Sequence, residues 1–313
     1  MKNRYLSIVV PLFNEESNVV KLLQEIKIVL EPLNLSYELV AVDDGSSDST
    51  WDVLCLNKME FPFLKPVKLA RNFGHQNALL AGLSVSNGDV IITMDGDLQH
   101  PPTLIPHMIE SHKLGALVVN TIRNDQNVSS WFKRTSSAFF YKTFSFLTDV
   151  KMYKGQSDFR LMDRKVVEQL LSLNDVELFI RGSVEWLGFK SSALSYEANA
   201  RYSGRSKYDL RKMISFARGS IVSFSTKPLI IGIRIGVITS LLSFLEIGYV
   251  IFQWLNGETI AGWASSIALM SFLFGVLFIL LGVIGLYLSH IHIALKNRPS
   301  YIIEKIDVEN EHG

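Results

Sequence analysis

The stretch ITMDGDLQHPP, residues 92–102, sets Asp95 and Asp97 directly after an apolar run, with one glycine between them and Gln99 two positions on. Side chains two apart on extended backbone point the same way. An extended Met94–Gln99 therefore predicts Asp95, Asp97 and Gln99 on one side. Like charges that close repel unless a cation lies between them. Three oxygen ligands suit a hard ion, Mg2+ or Mn2+, rather than zinc, and Mg2+ completes its shell with water and substrate phosphates. The pattern reads as a metal–diphosphate site. A bare D-x-D also occurs in solvated turns. The apolar strand before this one, and the second acidic pair Asp43-Asp44 at another strand end, favour the metal reading.

Those acids need a scaffold. Residues 5–13 (YLSIVVPLF), 37–42 (YELVAV), 65–70 and 89–94 read as buried strands. Val19, Leu22, Leu23, Ile26 and Leu30 have helical spacing, as does the run Ala78–Leu83, and Ser49 with Asp52 resembles a capping box. Strands alternating with helices predict an α/β fold whose mainly parallel sheet is covered on both faces. Ligands then sit at the carboxyl ends of the strands, where the acidic residues fall. No G-x-G-x-x-G follows the first strand, and neither G-x-x-x-x-G-K-[ST] nor H-E-x-x-H occurs.

The chain has 313 residues, is 48% hydrophobic and carries a formal charge of +1, which argues against a nucleic-acid partner. The single Cys55 rules out an intrachain disulfide and fits a reducing compartment. The mean hydropathy is +0.22, and the apolar residues concentrate after Pro228. Residues 229–253 hold only Arg234 and Glu246 as charges, and residues 264–290 hold no Asp, Glu, Lys or Arg. Each exceeds the ~20 apolar residues that a membrane crossing requires, so a two-helix transmembrane hairpin is expected. Lys207, Arg211, Lys212, Arg218 and Lys227 precede the first span, Lys296 and Arg298 follow the second, and the connection between them has none. The positive-inside rule puts both termini in the cytoplasm. The run Leu6–Phe13 is short, contains Pro11 and meets Glu15-Glu16, so it is not read as a signal peptide. Glu246, inside the first span, has no role legible in the sequence.

VVPLFNEE (9–16), VDDGSSDST (42–50), RNFGHQNAL (71–79) and DGDLQHPP (95–102) resemble the successive motifs of family-2 glycosyltransferases with the GT-A fold. SDFRLMDR (157–164), FIRGSVEWLGF (179–189), RYSGRSKY (201–208) and FSTKPL (224–229), followed by two spans, are similar to the polyprenyl-phosphate branch: bactoprenol glucosyltransferases and dolichyl-phosphate mannose synthases. The resemblance covers about residues 5–290. It implies that Pro11, Phe13, Glu15 and Asp44 hold the nucleotide base and ribose, with Phe13 where tyrosine is frequent. It implies that Asp95 touches metal and nucleotide, and that Asp97 and Gln99 bind the metal. It further implies that Arg123 and Arg134 receive the lipid phosphate, that Asp158 stands beside the reacting sugar carbon, and that Arg201, Ser206 and Lys207 close over the diphosphate. Glu15 also reads as a helix-start acid, Asp44 as a turn residue, and Asp158 as a structural partner of Arg160 or Arg164. His75 and His100 read as hydrogen-bonded loop residues rather than ligands.

The expected organisation is a GT-A catalytic domain over 1–207, a juxtamembrane amphipathic helix over 208–228, spans at 229–253 and 264–290, and a cytosolic tail over 291–313. Residues 131–147 form a second basic amphipathic segment, and both such segments are expected at the bilayer interface. The expected reaction is inverting, metal-dependent transfer of a hexose from a nucleotide sugar, first glucose from UDP-glucose, to undecaprenyl phosphate at the cytosolic membrane face. GDP-mannose or another UDP-sugar donor is the nearest alternative. A processive polysaccharide synthase would carry a Q-x-x-R-W motif and more spans, and a silent assembly partner would not need Asp95, Asp97 and Gln99. A phosphomonoester acceptor, with a second pKa of ~6, is largely dianionic at neutral pH. Asp158 is therefore expected to support the reacting centre rather than to act chiefly as a proton acceptor. Family likeness also implies a homotetramer.

Overall fold

Apolar runs buried on both sides build the centre of the sheet. All seven residues of strand β1 (Leu6–Leu12) are buried. Its Leu6, Ile8, Val10 and Leu12 face one core and Val9 the other, the period-two alternation of a strand. The computed structural model describes residues 6–124, 155–173, 179–197, 225–257 and 262–307. Arg134, Arg201, Ser206, Lys207, the segment 131–147 and residues 208–224 of the juxtamembrane segment lie outside the described residues.

The remaining strands are β2 (Tyr37–Asp43), β3 (Leu64–Leu69), β4 (Val90–Thr93), β5 (Val118–Arg123), β6 (Gln156–Asp163), β7 (Ser191–Tyr196) and β8 (Ile303–Ile306). Their order is β7-β5-β6-β4-β1-β2-β3-β8. The β4-β1-β2-β3 block is parallel, β7 runs parallel to β5, and β6 and β8 run antiparallel to their neighbours. The expected α/β architecture, with a mostly parallel mixed sheet, is present. Helices α1 (Glu16–Leu30), α2 (Thr50–Asn57) and α4 (Ile105–Lys113) supply Leu22, Leu54 and Met108 to one core. Helices α3 (His75–Val85), α5 (Arg164–Ser172) and α6 (Ile180–Trp186) supply Leu79, Val167 and Val184 to the other.

The sheet reaches further along the chain than the 1–207 boundary. Residues 303–306, expected in a tail, form the β8 edge strand on β3. The Ala70 N–H donates to the Ile302 carbonyl (3.0 Å), and Lys58 Nζ lies 3.5 Å from Asp307 Oδ1. The expected capping box does not form: Ser49 is the N-cap of α2, but its side chain makes no capping bond. Asp48 acts instead, accepting from the Thr50 N–H (3.1 Å), while the Ser49 N–H is spent on Glu16 (2.9 Å).

A second compact unit holds two long helices, α7 (Lys227–Leu255) and α8 (Trp263–Leu295), of 29 and 33 residues. Both are long and apolar enough to cross a membrane. Ile233, Leu241 and Phe278 are among many large apolar side chains they leave exposed, a surface suited to hydrocarbon and not to water. The Tyr287 hydroxyl donates to the Ser225 carbonyl (2.6 Å), so the end of α8 meets the start of α7. Glu246 and Ser243 of α7 line a cleft with Leu269 and Leu273 of α8.

Gly45, just past β2, has φ +66°, and a Cβ there would lie 2.4 Å from the Arg71 carbonyl carbon. Left-handed backbone and a close backbone neighbour both exclude a side chain. Gly45→Ala is expected to destabilise the sheet unit by at least ~1 kcal/mol, read as a lower thermal midpoint of the detergent-solubilised full chain.

Candidate active site

The carboxyl ends of β1, β2, β3 and β4 share one edge of the sheet, and β1 lies between β4 and β2, where the strand order reverses. Such reversals open a crevice for ligands. Strand β6 reaches the same edge from the opposite direction. Arg160 pairs with Thr93, so Asp158 lies just beyond the end of β4. Strand β5 delivers Arg123 there too, its N–H bonded to the Gly155 carbonyl (2.8 Å).

The loops after β1 and β2 clasp each other. Asn14 Oδ1 accepts from the Ser47 N–H (2.8 Å), and the Glu15 N–H donates to Thr50 Oγ1 (3.0 Å). Pro11 is buried, Phe13 half-buried, and Glu15 sits at the start of α1, where Oε2 accepts from the Asn18 amide (2.5 Å). Asp44 is buried and accepts from the Phe73 and Gly74 N–H groups (2.7 and 2.9 Å), so both its oxygens hold the loop after β3. Burial raises the Asp44 pKa although those two bonds pull it down. Asp43 gives one oxygen to the Ser46 N–H (3.0 Å), and its Oδ2 is buried without a hydrogen bond.

The Asp95–Gln99 segment is not extended, so alternation is not what gathers its side chains. Gly96 and Asp97 turn, and Leu98 takes φ 61°, a conformation that L residues avoid. The reversal sinks the Leu98 side chain into the core and lets Asp97 Oδ1 accept from the Gln99 N–H (3.1 Å). Gln99 Oε1 accepts from Arg123 Nη1 (3.2 Å), which joins two of the sequence-derived site residues directly. Asp95 Oδ1 is buried with no hydrogen bond.

His75, the first residue of α3, links the two acidic centres. Its Nε2 lies 3.3 Å from Asp95 Oδ1 and 3.5 Å from Asp158 Oδ2. Burial lowers its pKa, but Asp158 and Asp95 outweigh that and push it up to about 9. Asp158 itself, 5% exposed, is gripped by Arg181 through two bonds, Nε to Oδ1 (2.7 Å) and Nη2 to Oδ2 (2.8 Å). Burial alone would raise the Asp158 pKa; the Arg181 guanidinium and then His75 hold the carboxyl well below the usual carboxylate range. Of the two partners expected for Asp158, Arg160 approaches to 3.9 Å, while Arg164 binds the Gly88 and Ser86 carbonyls instead. Arg160 is fully buried; burial pushes its pKa down to about 10 against the pull of Asp158, and its Nε and Nη1 have no hydrogen bond. Gln156, Asn120 and Glu185 extend this polar layer, with Gln156 Nε2 donating to Asn120 Oδ1 (3.0 Å) and Glu185 Oε1 (2.9 Å).

His75, Arg181 and Arg160 all lie in stretches the sequence flags, but their pairing with Asp158 is tertiary. His100 is the hydrogen-bonded loop residue expected, its Nδ1 accepting from the Asp95 N–H (3.0 Å), whereas His75 opens a helix and does not lie in a loop. Among the described residues, no three His, Cys, Asp or Glu side chains form a closed metal cage. A Mg2+-type site needs only one or two carboxylates plus substrate phosphates; Asp95 Oδ1, which has His75 beside it but no hydrogen bond, and the Asp97 carboxylate of the same turn fit that.

The profile of Glycosyl transferase family 2 matches residues 7–171. The chain belongs to that family. It is a glycosyltransferase. It is 38% identical over 307 residues, 97% of this chain and 95% of the other, to the uncharacterized glycosyltransferase YkcC of Bacillus subtilis. To the SfII prophage-derived bactoprenol glucosyl transferase of Shigella flexneri it is 36% identical over 301 residues, covering 96% and 97%. The mannosyltransferase PcManGT of Pyrobaculum calidifontis, solved with GDP-Man and Mn2+, shares the fold with a TM-score of 0.50 and 16% identity, over 72% of this chain and 64% of that one. The GT-A architecture that the sequence implied is thereby shown.

Because its folded pKa is depressed, Asp158 contributes stability that is fully present above the unfolded value of ~3.9 and fades only in acid below it. From pH 5.5 to 8 the carboxylate does not titrate, and no limb of the pH–rate profile in that range belongs to it. Asp158→Asn leaves Arg181 and Arg160 without the Asp158 charge, and His75 with Asp95 alone. The expected loss is about 2–4 kcal/mol, kept from the top of the range for a buried pair because the Arg181 side chain is 27% exposed. Thermal unfolding of the two proteins at pH 7 and pH 4 measures it.

Proposed function

We propose that this glycosyltransferase moves a hexose, glucose from UDP-glucose as first choice, to a polyprenyl phosphate at the cytosolic face of a membrane, with inversion and with a divalent cation. One observation carries the lipid acceptor. The likeness to the bactoprenol glucosyl transferase of Shigella flexneri spans 96% of this chain, so it takes in the apolar helices as well as the sheet. The bound Mn2+ of the mannosyltransferase that shares the fold is consistent with the cation.

Asp95, Asp97 and Gln99 would hold Mg2+ or Mn2+, which when bound supplies Lewis-acid stabilisation of the leaving diphosphate, a contribution of several kcal/mol. Pro11, Phe13, Glu15 and Asp44, at the exits of β1 and β2, are assigned to the base and ribose. Arg123, beside Gln99, and Arg134 are assigned to the acceptor phosphate, and Arg201, Ser206 and Lys207 to the donor diphosphate. The acceptor already carries the negative charge of a nucleophile and needs placing more than deprotonation. Asp158 suits that chemistry: a carboxylate doubly bonded to Arg181 has little tendency to take a proton, and its fixed charge supports positive charge growing on the sugar carbon.

Chain connectivity supports the membrane arrangement. The chain leaves the sheet unit before α7 and rejoins it at β8 after α8. Two crossings return it to the side it left, with the short connection on the far side, in keeping with the Lys and Arg flanks.

Membranes carrying the protein, given undecaprenyl phosphate and a panel of labelled nucleotide sugars, are expected to make butanol-extractable label from UDP-glucose. EDTA should abolish it and Mn2+ or Mg2+ restore it. Asp97→Ala should lower the rate by more than ~100-fold, as loss of several kcal/mol of leaving-group stabilisation requires. Label from GDP-mannose alone would replace the donor, and transfer indifferent to EDTA would remove the metal.

A further inference from the structure

The last ladder bond of β4 runs from the Met94 N–H to the Val9 carbonyl (3.1 Å). The next N–H, that of Asp95, lies past the strand and is taken by a side chain five residues ahead: His100 Nδ1, at 3.0 Å. The ring thus closes the Asp95-Gly96-Asp97 turn from outside the sheet. It is itself held firmly. His100 is 5% exposed, lies stacked on Phe159 (centroids 5.1 Å apart, planes 15°) and meets the edge of Tyr196 (6.0 Å, 77°). Phe159 follows Asp158 in β6, so the same ring joins the turn to the strand that carries the second acidic centre.

We infer that His100 is a positioning residue for the diphosphate-binding turn: its ring fixes the Asp95 backbone and thereby the direction in which the Asp95 and Asp97 oxygens point. The inference rests on the metal–nucleotide reading of that turn. A nitrogen that accepts an N–H carries no proton of its own, so the hydrogen-bond network assigns the ring proton to Nε2. Nε2 stands 3.6 Å from Asp95 Oδ2. The ring therefore bonds the Asp95 amide and stands near one oxygen without bonding it; the other, Oδ1, is buried without a hydrogen bond and faces His75 Nε2 at 3.3 Å. Gly96 completes the arrangement. A Cβ there would fall 2.3 Å from Leu12 Cδ2, so the turn lies against the end of β1 as tightly as the chain allows. With His100 behind it, Leu12 beneath it and Leu98 anchored in the core, the turn is preorganised.

Stacking and hydrogen bonding can be separated by substitution. His100→Phe keeps an aromatic ring against Phe159 and deletes the acceptor. His100→Asn gives up the ring but offers Oδ1 where Nδ1 was, whereas His100→Gln offers its oxygen a bond further out. The readout is binding of Mn2+ with UDP or GDP to the purified full chain, by titration calorimetry and by the electron spin resonance of Mn2+, beside the KM values for donor and lipid acceptor. His100→Phe is expected to weaken Mn2+–nucleotide binding by about 10- to 100-fold, the usual consequence of losing a group that orients a metal ligand. The donor KM should rise in step and the acceptor KM stay near that of the parent. His100→Asn should recover most of the affinity and His100→Gln little. Binding by His100→Phe within twofold of the parent overturns the inference, as does His100→Asn binding no better than His100→Phe. A parent chain that binds neither nucleotide with Mn2+ overturns the metal–nucleotide reading and this inference with it, so the two failures are distinct.

Discussion

Negative charge must be balanced where water is scarce, and this fold gathers five aspartates at one edge of its sheet. Asp43, Asp44 and Asp158 are buried there, and Asp95 and Asp97 stand at the rim. An uncompensated buried carboxylate would be too costly to keep ionised. Each is compensated differently. Asp44 is neutralised by backbone N–H groups, Asp158 by a guanidinium in double contact, and Asp95 in part by His75. Asp43 Oδ2 and Asp95 Oδ1 are left buried without a hydrogen bond, and in the proposed function a cation and a diphosphate would meet the second of these.

Register makes that arrangement possible. Because β6 runs against β4, its third residue, and not its last, arrives at the carboxyl edge, so Asp158 enters the site from buried backbone and not from a loop. The same strand brings Arg160 under the acid and Gln156 toward Asn120 and Glu185. A site built on strands is held more rigidly than one built on loops. The loops supply the adjustable parts, and even these are tied: the turn after β1 to the turn after β2, and the turn after β4 to His100.

The first four strands were legible because they are short, continuous apolar runs. The acids at their ends were legible because charge directly after such a run has few structural explanations. Strand β6 was hidden by its own chemistry. QSDFRLMD carries an aspartate and an arginine in positions that prove buried, and a hydropathy pattern cannot foresee that they neutralise each other and a third residue, Arg181. Strand β7 (SSALSY), whose three serines and alanine leave only Leu194 and Tyr196 as large apolar positions, left too weak a signal, and β8 too short a one. Alternation failed at Asp95–Gln99 because tertiary burial of Leu98 favours a backbone that its local sequence does not. The family motifs that fall in the described residues mark stretches the fold brings to one edge of the sheet, but the pairing within them is a property of the folded chain.

Edge strand β8 bears on how the protein is made. Lys58 and Asp307 are 249 residues apart in sequence, yet the Lys58 ammonium donates to the Asp307 carbonyl at 3.0 Å. A ribosome completes both apolar helices before it releases the segment that covers β3. Until then the nascent sheet has an open flank, with main-chain groups free to pair with a stranger. Completion of the sheet unit is thus tied to the synthesis of α7 and α8, and its final hydrogen bonds can close only after translation has passed both.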